Sequence, residues 1–291
     1  MFQEACERAR KYTCPYVGLR RKHNGIVFST MAAFIVVNDK GWAITAKHIF
    51  DEIANAQQSI AGSSAIDNAL TQLKAQKIGH AKHRNRDIRK LEQQKANSLS
   101  NHAEIWAAGA NWPALKPKAT ELRLHPIADL AAFKLGPFTP AVDQAYPILR
   151  SEPLIPGVSV CRIGFPWHSV EADFANNNFK VKSGFPAPLF ALDGMISRFM
   201  VIADPSGAKA TYIQTSTPGL RGQSGGPLFD IEARLCGLQC STIHLDLGFD
   251  ATYKRDGESK VERQFLNVGQ AVHIDEIRAF LDSNAISYDS A

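Results

Sequence analysis

The 291-residue sequence contains no apolar run approaching the eighteen or so residues that a membrane-crossing helix needs. Its first residues, Met1-Phe2-Gln3-Glu4-Ala5-Cys6-Glu7-Arg8, mix charges where a secretory leader would be hydrophobic. Together these absences predict a soluble protein of the cytoplasm with no membrane partner. Cysteine is scarce: there are five, an odd number, with no CxxC pair, and Cys236 and Cys240 stand four apart on a predicted strand, too far along extended chain to bridge. Without a disulfide framework the chain does not read as a secreted enzyme, and its cysteines read as small buried apolar groups. Repeats and low-complexity tracts are missing as well. The net charge of +5 is modest and no aromatic residues interleave the basic ones, so nucleic acid is not an expected partner. His80, His83 and His102 lack cysteines or paired carboxylates at ligand spacing, so neither a metal nor a cofactor is expected. What is present is ordinary globular composition, 45% apolar and 21% charged, enough for two small cores.

Against that background the stretch Gly222-Gln223-Ser224-Gly225-Gly226-Pro227 stands out. A lone serine in a glycine-rich turn has the exposed hydroxyl and closely approaching backbone that a nucleophile requires. It also has a plain structural reading, as a polar residue in a β-turn. Two other segments bear on the choice. Gly41-Trp42-Ala43-Ile44-Thr45-Ala46-Lys47-His48 is an apolar strand that delivers a histidine where a helical pattern begins, and Ala128-Asp129-Leu130-Ala131-Ala132-Phe133-Lys134-Leu135 is an apolar strand headed by one carboxylate. Each alone reads first as a strand-end histidine or a turn-capping aspartate.

In the chain order His48, Asp129, Ser224, the three segments resemble the chymotrypsin-like (trypsin-fold) serine peptidases, whose signatures are TAxH, Asp-Leu-Ala and GxSGGP; the other common serine hydrolase folds carry the triad in different orders. The flanking stretches at 157–166, 212–217, 237–242 and 268–272 are similar to strands of the HtrA-type branch. The resemblance spans roughly residues 24–50 and 120–282. It implies an all-β fold of two antiparallel six-stranded barrels, the first from about Gly25 to Pro147 and the second from about Gly157 to Val272. A closing helix over Ile274–Leu281 is expected to pack on the second barrel. The chain then divides into an N-terminal segment (1–23), a first barrel (24–150) and a second barrel with the C-terminal helix (151–291). After Leu281 only ten residues follow, so the appended peptide-binding domain of HtrA proteins is not expected.

The resemblance also implies roles. Ser224 is the nucleophile, His48 the general base, Asp129 the group that orients it, and the N–H groups of Gly222 and Ser224 the oxyanion hole. The substrate would be a peptide or protein. Family members activated by N-terminal cleavage carry Asp before the nucleophile; Gln223 stands there instead, so that mode of activation is not expected. The acid that selects Arg or Lys substrates is missing too, since six positions before Ser224 lies Pro218, between Thr217 and Gly219. With Cys240, Ser241 and Thr242 on the opposite wall, these residues predict a small or neutral substrate pocket.

Between His48 and Asp129 the chain is longer than compact relatives need. Roughly Asp51 to Thr120 reads as a helical insertion, with apolar residues at three-to-four spacing over Ala65–Lys74, and it carries the basic run Lys82, Arg84, Arg86, Arg89 and Lys90. That run is either a solvated helix face or the docking site of a regulatory partner. The expected function is that of a regulated serine endopeptidase; the alternative is a non-catalytic trypsin-fold module that binds a protein or nucleic acid through the cleft or the basic insertion. Ester hydrolysis would use the same machinery.

Overall fold

A computed structural model describes residues 1–75, 81–107 and 118–291, with the backbone alone for 51–64, 81–82, 99, 101–107 and 118–119. His80 and the remainder of the expected insertion, 76–79 and 108–117, lie outside the described residues. The chain runs α1 (Gln3–Ala9), β1 (Thr13–Lys22), β2 (Val27–Val36), β3 (Trp42–Thr45), α2 (His48–Ala75), α3 (Ala81–Asn97), β4 (Leu99–Ala107), β5 (Lys118–Leu124) and β6 (Ala131–Gly136). These strands form one six-stranded sheet in the order β4-β1-β2-β3-β6-β5.

The rest comprises β7 (Ile148–Leu149), β8 (Ser159–Gly164), β9 (Glu171–Ala175), β10 (Asn178–Ser183), β11 (Phe190–Ala203), β12 (Lys209–Thr215), β13 (Pro227–Phe229), β14 (Arg234–Arg255), β15 (Glu258–His273), α4 (Ile274–Ser283) and β16 (Asp289–Ser290). Here β13 pairs with both β8 and β14, so the order β13-β8-β11-β12-β15-β14 closes on itself as a six-stranded barrel. The two-residue strands β7 and β16 add to its flank in parallel register. Closure removes the exposed strand edges that an open sheet would present. Beyond Thr242 and Gly269, β14 and β15 pair only with each other and leave the barrel as a two-stranded ribbon. The fold is thus mostly β, with trypsin-like β-barrel modules and a C-terminal helix.

Alternation of apolar and polar residues explains several strands, but the best-buried ones are apolar throughout, as expected where both faces are covered. β3 is Trp-Ala-Ile-Thr, with Ala43, Ile44 and Thr45 fully buried, and β6 opens on buried Ala131-Ala132-Phe133. Phe34, Ile35 and Ile44 in the first sheet, Leu130 just before β6, and Ile163, Ile196, Ile213 and Phe229 in the second belong to one continuous core. α4 lays Ile274, Ile277, Phe280 and Leu281 onto it and is capped by His273, whose ring accepts the Asp275 N–H at 3.1 Å.

Two boundaries differ from those expected. The first sheet begins at Thr13, inside the expected N-terminal segment; β1 is buried without a break from Thr13 to Leu19, so it shows no alternation, and Pro15 interrupts its reading as a strand. Its pairing with β2, from Thr13 opposite Ile35 to Arg21 opposite Val27, fixes it in the sheet. The insertion is helical only as far as Asn97. β4 then pairs antiparallel with β1 and β5 with β6, pairings made with distant chain that local periodicity does not report. No helix among the described residues is long and apolar enough to cross a membrane.

Candidate active site

Register brings the first two candidate residues together. β3 and β6 are antiparallel neighbours with Thr45 opposite Ala131, so His48, three residues beyond the end of the pair, and Asp129, two residues before it, emerge at the same edge. The Asp129 carboxylate accepts two hydrogen bonds from one residue: the His48 backbone N–H at 2.8 Å on Oδ1 and His48 Nδ1 at 2.7 Å on Oδ2. A carboxylate on Nδ1 holds the proton there and leaves Nε2 as the basic nitrogen. Asp129 is itself fixed, since its N–H donates to the Tyr212 hydroxyl oxygen at 3.0 Å. The turn before it is pinned by His125, whose Nδ1 accepts the N–H groups of Ile127 and Ala128 at 3.1 and 2.8 Å. Burial holds the His125 imidazole below its ordinary value, which suits a nitrogen that must stay unprotonated to accept both bonds.

The glycine-rich turn docks on the first sheet beside this pair. Ala33 of β2 donates its N–H to the Ser224 carbonyl at 2.8 Å, and the Gly225 N–H reaches back to the Gln239 carbonyl at 2.7 Å. Gly222 and Gly225 have φ of +103° and +82°, left-handed backbone that only glycine adopts without strain. A Cβ at Gly222 would stand 2.5 Å from the Phe165 carbonyl oxygen. Among the described residues, neither the Gly222 nor the Ser224 amide is engaged in a hydrogen bond, so two N–H groups flank the serine unspent. The Ser224 hydroxyl donates to the Cys240 carbonyl at 3.3 Å. Gln223 is fully buried and braces its own loop: its Oε1 accepts the Leu220 N–H at 3.0 Å while its backbone N–H donates to the Leu220 carbonyl at 2.9 Å.

His48 and Ser224 line a single cleft of about 640 Å³ with residues of both sheets, among them Thr30, Met31, Trp167, Gly219, Gln239 and Thr242. Of the residues expected to form the substrate pocket, Gly219, Cys240, Ser241 and Thr242 line it. Cys240 does so through its backbone, because its sulfur turns into the barrel toward the Gln270 carbonyl at 3.1 Å, and burial raises its thiol above the ordinary range, with the Asp129 charge adding to the rise. Thr217 and Pro218 are not on this wall. The Thr217 hydroxyl is committed behind it, donating to the Asp193 carbonyl at 3.0 Å.

Sequence reasoning passed over the polar cluster packed against Gln239, outside the cleft lining. Arg162, in the apolar strand β8, is fully buried; its Nη1 donates to Gln239 Oε1 at 2.8 Å and its Nη2 to the Thr215 and Thr217 hydroxyls, the latter at 3.3 Å. Burial pushes the guanidinium down to about 10. The signal was a single arginine in Val-Ser-Val-Cys-Arg-Ile-Gly, on a strand that reads as covered. In α3, the expected basic run is partly solvated, with Arg86, Arg89 and Lys90 exposed and Arg84 half-buried; the side chain of Lys82 is not described. The α2–α3 pair is held by Lys74 on Glu92 at 2.8 Å and by Lys95 on Asp67.

Two β-modules that share a cleft carrying a histidine–carboxylate pair and a glycine-cradled serine define the class of trypsin-fold proteins. Residues 32–238 match the trypsin-like peptidase domain, and the chain belongs to that family of serine peptidases. No curated protein matches the sequence. Similar solved structures include an HtrA-type protease, AlgW, determined as a serine-to-alanine variant with a tripeptide, at 15% identity and a TM-score of 0.51, covering 97% of this chain. This chain spans 63% of the length of that protein. Another is Rv3671c from M. tuberculosis H37Rv, a serine-to-alanine mutant in an inactive form, at 11% identity and a TM-score of 0.50, covering 96% of this chain and 89% of that one. At these identities the likeness is one of fold.

Proposed function

We propose that the protein is a serine endopeptidase that works through an acyl-enzyme, with His48, Asp129 and Ser224 as its triad. The observation that carries this reading is the 2.7 Å bond from His48 Nδ1 to Asp129 at the edge of the cleft that Ser224 also lines. In the reaction the Ser224 hydroxyl exchanges the Cys240 carbonyl for His48 Nε2 as its acceptor. The imidazole removes the hydroxyl proton as Oγ bonds to the substrate carbonyl carbon, and Asp129 stabilises the imidazolium that results. The oxyanion is received by the free N–H groups of Gly222 and Ser224, a contribution on the order of 10² to 10³ in rate for each donor. His48 then gives its proton to the leaving amine, and water, activated the same way, releases the acid.

Gln223 supports activity without N-terminal processing, because it orders the loop from within. We take the chain as two functional modules meeting at the cleft, the first ending between β6 and β7. Five free cysteines suit a reducing cytoplasm, and the exposed basic residues of α3 suit an acidic regulatory partner.

The orientation of the Ser224 hydroxyl is the one observation that favours a non-catalytic binding module. Incubating wild type and Ser224→Ala with a peptide library and reading the new termini by mass spectrometry decides between the two. Cleavage by wild type with a loss of several orders of magnitude in Ser224→Ala and His48→Ala is the expected result. Wild-type protein that neither cleaves nor is labelled at Ser224 by a fluorophosphonate would leave the binding module standing.

A further inference from the structure

Arg162 is a buried cation with no anion. Its hydrogen-bond partners, Gln239, Thr215 and Thr217, are all neutral, and its Nε has none among the described residues. No carboxylate pairs with it among the described residues, whereas the other well-buried cation, Arg150, is matched to Asp230 at 2.6 Å. Burying an ion without its counter-charge is among the costliest arrangements a fold can hold, and it persists where something else requires the charge.

The position of Arg162 says what that is. Gln239 stands between the guanidinium and the cleft, and its orientation is forced: Nη1 can only donate, so Oε1 faces it, and the Ser241 carbonyl can only accept, so Nε2 faces that, at 2.7 Å. The amide therefore points its acceptor at the cation and its NH₂ toward the pocket side. A Cβ on Gly219 would lie 2.1 Å from Nε2, so the two pocket walls meet on this amide. Thr242 Oγ1 bonds across to the Gly219 carbonyl at 2.5 Å, and both residues line the cleft together with Gln239 and Ser224. Gln239 thus offers the cleft a hydrogen-bond donor backed by a full positive charge.

We propose that this pocket takes an acidic side chain, so that the protein cleaves after aspartate or glutamate, with Gln239 contacting the substrate carboxylate and Arg162 selecting it through Gln239. The inference rests on the peptidase reading above and sharpens it: the expected small or neutral pocket becomes a small one with an acidic preference. A carboxylate bound at Nε2 lies about 7 Å from the guanidinium, and at an effective dielectric of ~20 that separation favours it over its neutral amide by roughly 50-fold.

The test uses quenched-fluorescent peptides that differ only at the residue before the scissile bond, in the isosteric pairs Asp/Asn and Glu/Gln. The same peptides are bound to the uncleaving Ser224→Ala protein and followed by anisotropy. Wild type is expected to prefer the acid of at least one pair by tenfold or more in kcat/KM, and Ser224→Ala to bind it more tightly than its amide. Arg162→Lys keeps the charge and should keep most of the preference; Arg162→Met, close in volume, should bring the ratio to about one. A merely structural arginine would lower overall activity in both variants without moving the acid-to-amide ratio. If Arg162→Met does not fold, the wild-type ratios decide alone. Ratios at or below one in wild type, with efficient cleavage after neutral residues, overturn the proposal and leave the peptidase standing. Absence of any cleavage or fluorophosphonate labelling sinks the peptidase reading instead, and the binding ratio in Ser224→Ala then decides the pocket chemistry independently.

Discussion

Substituting Gly225 by alanine should do damage well beyond one methyl group. The added Cβ would lie 2.1 Å from the Ala33 carbonyl oxygen and 2.2 Å from Thr45 Oγ1, on a backbone with φ of +82°. The left-handed conformation alone costs an alanine about 1–2 kcal/mol. The overlap has no flexible side-chain end to yield, since Ala33 contributes backbone and the Thr45 hydroxyl is itself bound to the Ala33 carbonyl at 2.7 Å. Relief requires the loop to leave the sheet, breaking the Ala33 to Ser224 and Gly225 to Gln239 backbone bonds. At about 1 kcal/mol for each of the two bonds, added to that strain, the total is roughly 3–4 kcal/mol, a large part of an ordinary domain's stability. Thermal denaturation should show a loss of roughly 6–16 °C, at ~2–4 °C per kcal/mol for a chain of this size, with any peptidase activity abolished. Gly207 is the control: its φ is +86° but nothing lies within 4 Å of the added methyl, so Gly207→Ala should cost only the conformational strain and leave activity intact. Equal melting temperatures for the two variants would refute the reasoning that docking on Ala33 and Thr45, not φ alone, fixes the glycine.

Acid should loosen the site from beneath. Burial is the main cause holding the imidazoles of His125 and His273 below their ordinary value, so the folded state binds fewer protons than the unfolded one; the stability they contribute is complete above about pH 6.5 and is lost as the pH falls through their folded values. Melting temperature should therefore decline below pH 6.5, and a flat profile from pH 7 to 5 would contradict the assignment. A tag fused ahead of Met1, which is exposed, should leave kcat/KM unchanged, because Gln223 braces the loop around Ser224 without a chain terminus; a strict requirement for removing residues before Ile26 would contradict it.

The parts of the site that can be read from sequence are those encoded by neighbours in the chain. Glycines on both sides of Ser224, an apolar strand ending at His48 and another starting after Asp129 are local patterns, and antiparallel pairing of the two strands is enough to join histidine to carboxylate. β1 was hidden because continuous burial erases the alternation by which a strand is recognised. The polar cluster around Gln239 was hidden for a different reason. Arg162, Thr215, Thr217 and Gln239 come from β8, from β12 and the turn after it, and from β14, and no one of them is unusual where it stands. Counting back from the serine for an acid located Thr217 and Pro218, which do not line the cleft, since the count assumes that specificity is carried by the loop that holds Ser224.

Here the charge enters from the opposite strand. A trypsin-fold pocket has several walls, and a charge placed on any of them at comparable depth acts on the same substrate group. Gly269 has no side chain where a Cβ would stand 2.1 Å from Arg162 Nη1, and Gly219 has none where one would meet Gln239. Two glycines, one on each side, thus leave room for an arginine and a glutamine to fill the space between. Filling it with aliphatic side chains of the same volume would satisfy packing at lower electrostatic cost, so the choice of a cation behind Gln239 is explained better by what the cleft binds than by what the barrel needs.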